Sequence, residues 1–305
     1  MRIAHLSDLH LVALAGAVPF RLFNKRFTGY VNLKLRRGAL HQRWAAEAVA
    51  AEIRAQQCDH VVVTGDVSNL SLEREFEAVR DFLRRDLRLP ADQVSLVPGN
   101  HDVYTRGAYR SRRFDEYLGD YTTGDLPEAA LTPGLGHYPY VRLRGPVSII
   151  GLSTAVPRLP LVASGRLGEA QRRGLQSLLA HREVRSRTPV ILQHHPVHPL
   201  RSPAQTWLKG LSDGPEELEV LRTIKRGLVL HGHLHRRIRR QQRTDQGHLD
   251  VIGTTSASLV TAQADQTAGF NVYEVDDIGE LTSISAFKLQ LGEGTFQAVE
   301  IPLVA

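Results

Sequence analysis

Two spacings of apolar residues divide this chain. Short runs rich in β-branched side chains recur at Ile3 to Leu6, Val61 to Thr64, Val94 to Val97, Val147 to Leu152, Val190 to Gln193 and Leu228 to Leu230. Near-continuous apolar runs of this length predict strands covered on both faces. Between several of them the spacing relaxes to a helical period, at Arg43 to Ala55, Leu72 to Leu87 and Leu167 to His181. Strands alternating with helices predict an α/β protein with a largely parallel sheet. After His235 the pattern changes. Val251 to Thr255, Phe270 to Val275 and Leu281 to Lys288 read as strands on short connections, hence an antiparallel or mixed sheet. No internal repeat or low-complexity linker interrupts the chain, so the expectation is a single domain over 1–288 followed by a tail, 289–305.

Two stretches fit this scheme poorly. Leu11 to Ala46 contains no Asp or Glu, yet carries Arg21, Lys25, Arg26, Lys34, Arg36, Arg37 and Arg43. Tyr104 to Arg144 is long, contains Gly and Pro, and shows no clear period. Loops this long inside a compact domain are often functional.

Chemistry gathers where the apolar runs stop. "IAHLSDLH" ends in Asp8 and His10, "VVVTGDVSN" supplies Asp66, and "VSLVPGNHD" supplies Asn100, His101 and Asp102. "VILQHHP" adds His194 and His195, and "LVLHGHLH" adds His233 and His235. In an open α/β sheet the carboxyl ends of the strands face one crevice. Five strands would therefore deliver carboxylate, amide and imidazole donors to one place. Such a mixed set suits manganese, iron or zinc rather than a calcium cage. Each motif alone has an ordinary explanation: a turn, a cap, or a hydrogen-bonded histidine. All five in this order, each after an apolar run, point to a metal site.

The series "DLH", "GDVSN", "GNHD", "HHP", "GHLH" resembles the calcineurin-like metallophosphoesterase superfamily over roughly residues 1 to 260. The resemblance implies a four-layer αββα sandwich, two mixed sheets packed face to face and flanked by helices. It implies two divalent metal ions, with manganese expected and iron or zinc as alternatives. Asp8, His10 and His235 would hold one ion, Asn100, His194 and His233 the other, and Asp66 would bridge them. His101 would serve the transition state or protonate the leaving oxygen, and Asp102 would orient its ring. His195 falls to substrate contact, since the ligand of such a pair stands two residues before the proline. The implied reaction is hydrolysis of a phosphoester by a metal-bridging hydroxide.

The substrate is read from two further stretches. "GDVSNLSLEREF" resembles a stretch of cyclic-nucleotide and glycerophosphodiester phosphodiesterases, where the position of Asn69 contacts substrate or supports the metals. "PFRLFNKRFTGYVNLKLRR" spaces Phe20, Phe23 and Phe27 helically among Arg21, Lys25 and Arg26. A basic amphipathic insertion at about 12–44 can lie on an anionic membrane or cover a lipid-bearing substrate, or it can pack its aromatics into the core. It resembles the insertions of UDP-2,3-diacylglucosamine pyrophosphate hydrolases. These stretches predict cleavage of a phosphodiester or pyrophosphate bond in a small or lipid-linked nucleotide, with Lys25, Arg26 and Arg36 at the crevice rim and Arg236, Lys25 and Arg26 as candidate substrate contacts. A DNA-repair-type nuclease and a catalytically silent metal-binding scaffold are the alternatives. The scaffold predicts missing ligands, and no position of the motif set is missing.

Composition changes the picture little. A net charge of +6 suits an anionic partner, but 33 of the 38 basic residues are arginine, a skew that coding bias explains as readily as phosphate recognition. "RRIRRQQR", after the last metal motif, lacks the interleaved aromatics of a single-strand binding platform, which argues against nucleic acid and for a solvated edge strand. The single cysteine, Cys58, excludes an intrachain disulfide and a cysteine-based zinc site, and fits a reducing compartment. The opening residues break off before an apolar core of signal-peptide length forms, and no run reaches membrane-spanning length. The expectation is a cytoplasmic protein, peripheral to the membrane if the basic insertion touches lipid. Oligomeric state is not written in these patterns.

Overall fold

A computed structural model describes residues 1–13, 40–126, 137–263 and 265–304. Two six-stranded sheets form its centre. The first is built from β1 (Arg2–Leu6), β2 (His60–Val63), β3 (Val94–Leu96), β10 (Gly269–Val275), β11 (Leu281–Leu289) and β12 (Phe296–Val299), in the order β12-β11-β10-β1-β2-β3. The second contains β4 (Tyr140–Arg144), β5 (Val147–Gly151), β6 (Thr188–Leu192), β7 (Arg226–His231), β8 (Ile238–Arg243) and β9 (His248–Gly253), in the order β4-β5-β6-β7-β9-β8. Both are mixed. β1, β2 and β3 run parallel, as do β5, β6, β7 and β9, and antiparallel strands complete each sheet.

The period of two along each strand sorts side chains into three cores. Val62, Val190, Leu192, Leu228 and Leu230 point between the sheets and meet Ile3, Ile252 and Tyr273 there. Their neighbours Val61 and Val63 face α1 (Arg43–Ala55) and α2 (Glu73–Asp81), through Val49, Ile53, Phe76 and Val79. On the opposite outer face, Ile191 and Val229 pack against Leu175 and Leu178 of a later helix (Glu169–Ala180). The result is the expected αββα sandwich. Strands buried on both faces explain why the early runs read as continuous apolar stretches.

Several boundaries differ from the pattern reading. The stretch Tyr104 to Arg144, read as one long loop, contains α3 (Arg106–Arg110), α4 (Arg113–Leu118) and the edge strand β4. Leu72 to Leu87 is an α-helix only through Asp81 and continues as a π-helical turn over Phe82–Leu87. The C-terminal stretch read as a tail supplies β12, and Leu303 bridges to Arg239. The arginine-rich run after His235 forms β8, an edge strand of the second sheet, as its composition suggests. Among the described residues the remaining α-helices are α5 (Glu169–Ala180), α6 (Arg182–Arg185), α7 (Pro203–Lys209) and α8 (Gly214–Leu221). Phe20, Phe23, Lys25, Arg26 and Phe27 lie outside the described residues.

Candidate metal centre

The parallel strands of both sheets end at one crevice. Asp8 and His10 follow β1, Asp66 follows β2, Asn100 and His101 follow β3, His194 follows β6, and His233 and His235 follow β7. Two groups form. Ligand-competent atoms of Asp8, His10 and His235 lie within 4.8 Å of one another, and so do those of Asp66, His194 and His233. Asp66 Oδ2 lies 3.3 Å from His194 Nε2 and 3.9 Å from His10 Nε2 of the other group, the position of a bridge. Each group draws side chains from both sheets.

The local backbone is unusual. Asp8, His10, Asp66, His233 and His235 all have φ between 44° and 68°. The left-handed region costs a non-glycine residue roughly 1–2 kcal/mol, and such outliers gather at functional sites. Crossed hydrogen bonds hold them in place. Asp8 N donates to Gly65 O at 2.9 Å, His10 N to Asp66 O at 3.0 Å, and His233 N to Asp8 Oδ2 at 3.1 Å. Gly65, at φ +88°, passes so close to Gly99 that a Cβ would stand 2.5 Å from its nitrogen. A Cβ on Gly232 would meet Ser7 Oγ and stand 2.5 Å from Asp8 Oδ2, so any side chain there would push on a ligand.

The residues fit a pair of divalent ions. His194 Nδ1 donates to Thr64 O at 2.7 Å, which turns Nε2 toward Asp66. His10 Nδ1 likewise faces Ser68 O at 3.3 Å, with Nε2 toward Asp8 and Asp66. A carbonyl on the far nitrogen is the usual way a protein fixes a metal-binding tautomer. His194 Nε2 also faces His233 Nδ1 at 3.2 Å, so two ring nitrogens point at one spot where positive charge would relieve them. Asn100 Oδ1 and His233 Nε2 are buried without a hydrogen-bond partner among the described residues. Burial alone would lower His194, but the Asp66 carboxylate outweighs it and pushes the imidazole up to about 9. Against its own burial, Asp66 is held well below the usual carboxylate range by His194, with His101 and His10 adding to the pull. The crevice thus favours positive charge, and a divalent ion would compete with that proton.

Around the candidate ligands stand side chains whose polar atoms are spent on protein. His101 is 9% exposed, stacks on Tyr104 at 5.2 Å, and donates through Nδ1 to Asn69 O at 2.7 Å. Asp102 does not orient that ring. Its carboxylate accepts from Gly99 N, Ser68 N and Ser68 Oγ at 2.8–2.9 Å, tying the "GDVS" loop to the "GNHD" loop. The expected substrate contact of His195 also fails. The ring is fully buried, with Nδ1 on Thr154 Oγ1 at 2.8 Å and Nε2 on Ala163 O at 2.9 Å, which spends both nitrogens on protein. Its place is against His233, 4.5 Å between ring centroids. Asn69 directs its side-chain amide to His10 O at 2.9 Å, a supporting position. Arg236 is exposed, with Nε 3.6 Å from Asp265 Oδ2. Lys25 and Arg26 fall outside the described residues.

Other participants carry no motif. His41 packs its ring 4.5 Å from that of His10 and hydrogen-bonds Ser258 Oγ at 2.8 Å. Ser256 Oγ donates to Asp8 O at 2.6 Å. The hydroxyl-rich "GTTSAS" at the end of β9 follows the same strand-end logic as the metal motifs and could have been flagged by it. His41 leaves no comparable signal.

A carboxylate-, amide- and imidazole-lined crevice across two parallel strand sets is the arrangement of a dimetal phosphoesterase. The family model for calcineurin-like phosphoesterases matches residues 1–237, and the chain belongs to that family. No curated protein sequence matches the chain. Among solved structures, a dimetal phosphatase from Danio rerio is similar, with a TM-score of 0.58 at 14% identity over 94% of this chain and 95% of that one. A purple acid phosphatase from yellow lupin, Lupinus luteus, has a TM-score of 0.56 at 11% identity, and the match spans 97% of this chain but 52% of the lupin chain. At these identities the likeness is one of fold. No helix among the described residues is long and apolar enough to cross a membrane.

Proposed function

We propose that this metallophosphoesterase cleaves a phosphodiester or pyrophosphate bond in a nucleotide-like substrate, lipid-linked nucleotides included. The observation that carries the hydrolytic reading is the pair of ligand groups meeting at Asp66, with the His101 ring packed 5.2 Å from that of His10. Asp8, His10 and His235 would hold one ion, and Asn100, His194 and His233 the other, with Asp66 shared. When bound, such ions supply Lewis-acid charge for a phosphoryl group and a nucleophile drawn from water at neutral pH. Two carboxylates among seven ligands leave a dinuclear divalent centre net positive, which suits an anionic ester. Asn69 O holds the hydrogen of His101 Nδ1, so Nε2 is the atom through which a proton can reach the leaving oxygen. The resemblance of "GDVSNLSLEREF" to phosphodiesterase sequences supports the diester reading.

The test is a hydrolysis panel on manganese-loaded protein: bis-p-nitrophenyl phosphate, p-nitrophenyl phosphate, cyclic nucleotides, UDP-linked lipids and single-stranded DNA. Diester or pyrophosphate turnover above monoester turnover is expected. Turnover confined to the monoester sinks the bond assignment, and turnover confined to DNA favours the nuclease. Metal analysis runs alongside. Asp66→Ala should fall from two ions per chain toward none, because the shared ligand is gone. Full metal content in that variant would rule out the bridge.

A further inference from the structure

On the outer face of the second sheet, a cavity of about 460 Å³ opens behind the loop that carries His233 and His235. The strand register places it there. Arg240 stands opposite Val251, which belongs to the helix-side core, whereas the next residue, Ile252, points between the sheets. Leu234 and Val251 give the cavity an apolar floor, and Arg201, Lys209, Arg236 and Arg240 line its walls. Among the described residues no carboxylate lines it. The segments that build most of it, 184–212 and 220–244, contain no Asp or Glu at all.

Apart from Arg236, whose Nε lies 3.6 Å from Asp265 Oδ2, these cations are poorly matched among the described residues. Arg239 gives its Nε to Asp250 at 2.7 Å, but neighbouring Arg240, on the other face, keeps its Nε buried with no partner. His198 Nε2, also in the lining, is buried and unpartnered. Burial, and then the charge of Arg240, push His198 down to about 4, so it faces the cavity as a neutral ring. The Arg201 and Lys209 side chains make no hydrogen bond or ion pair among the described residues. Arg201, Lys209 and Arg240, lining one cavity without a counter-charge among the described residues, raise the local potential for an anion, and guanidinium groups match phosphate geometry.

We propose that this cavity is a second anion site that takes a phosphate group carried on an apolar or aromatic body. The phosphate lies among Arg201, Lys209 and Arg240, and the body lies on Leu234 and Val251. This assignment does not depend on which bond the metal centre cleaves.

Phenylphosphonate is a suitable probe, because its carbon–phosphorus bond resists phosphoester hydrolysis. Equilibrium dialysis against the metal-loaded protein should find two per chain, one at the metals and one in the cavity. Asp66→Ala should lose the first and keep the second. Arg240→Gln should lose the second while retaining two metal ions, and Arg240→Lys should retain part of it. Inorganic phosphate should bind the cavity roughly tenfold more weakly, since it leaves the apolar floor uncovered. Vesicles of phosphatidic acid against phosphatidylcholine form the other arm. Co-sedimentation lost in Arg240→Gln identifies a lipid headgroup as the source, and binding in dialysis alone identifies a soluble phosphate. A wild-type protein that binds one phenylphosphonate, lost with Asp66→Ala, overturns the site. So does an Arg201→Gln/Arg240→Gln double variant that binds as the wild type does.

Discussion

The hydrogen on His101 Nδ1 is held by the carbonyl of Asn69, and that one bond decides how the residue can work. With Nδ1 committed, any proton delivered to substrate leaves from Nε2. His101→Ala should therefore keep both metal ions and lose kcat by roughly 10²–10⁴. Steady-state kinetics on two esters distinguishes proton delivery from charge stabilisation. A p-nitrophenolate leaving group should suffer less than an alkoxide if His101 is the acid, and equal losses would exclude that role. The proposed ligands were legible in sequence because each stands directly after an apolar run. The support of His101 was not, because Asn69 acts there through a main-chain carbonyl that any residue would carry. Asp102 and His195 misled for a different reason: each stands next to a proposed catalytic or ligand residue in sequence, but its side chain is spent on protein groups.

Among the elements, α8 carries the most conspicuous mismatch. Glu217 is completely buried, with Gln193 beside it but no well-formed hydrogen bond to either carboxylate oxygen among the described residues. Burial first, and the charge of Asp213 second, push it from 4.5 up to about 8. A carboxyl with a raised folded value keeps its proton in the folded chain after the unfolded chain has lost it. Stability from this residue is therefore full below about pH 4.5 and drains away as pH rises toward 8, at roughly 1 kcal/mol per pH unit. Glu217→Gln should flatten that slope and raise the melting temperature at pH 8, as read by calorimetry across pH 5–8. An unchanged slope would mean that Glu217 is not the group responsible. Nothing in the sequence marks this glutamate, since "PEELEV" reads as an ordinary acidic helix start. The short α3 and α4 were illegible for a different reason: five or six residues are too few to display a period. The long strands and α1, with several turns or a continuous apolar run, were clear.

Over the whole molecule, each proposed ion takes ligands from both sheets, so bound metal cross-links the two halves of the sandwich. An ion present at a hundredfold excess over its Kd stabilises by about 2.7 kcal/mol, or roughly 4 °C for a chain of this size. Chelation should lower the melting temperature of the wild type by several degrees and leave Asp66→Ala unmoved. A wild type indifferent to chelator would mean that the ions do not brace the sheets. Fold class was readable because alternation of strand and helix is a local property. Which strands neighbour one another is not, and the pattern gave no hint that β10 would pair with β1 from the far end of the chain.

That pairing also sets an order of events during synthesis. Every proposed ligand lies between residues 8 and 235, yet β10, the neighbour of β1 in the first sheet, begins only at Gly269. A growing chain exposes its complete set of metal-binding side chains while the strand that presents Asp8 still has an open edge. Until β10 is made, β1 lacks the antiparallel neighbour that completes its sheet beside Asp8 and His10. A metal ion captured before that moment would meet its ligands on a sheet with one edge still open.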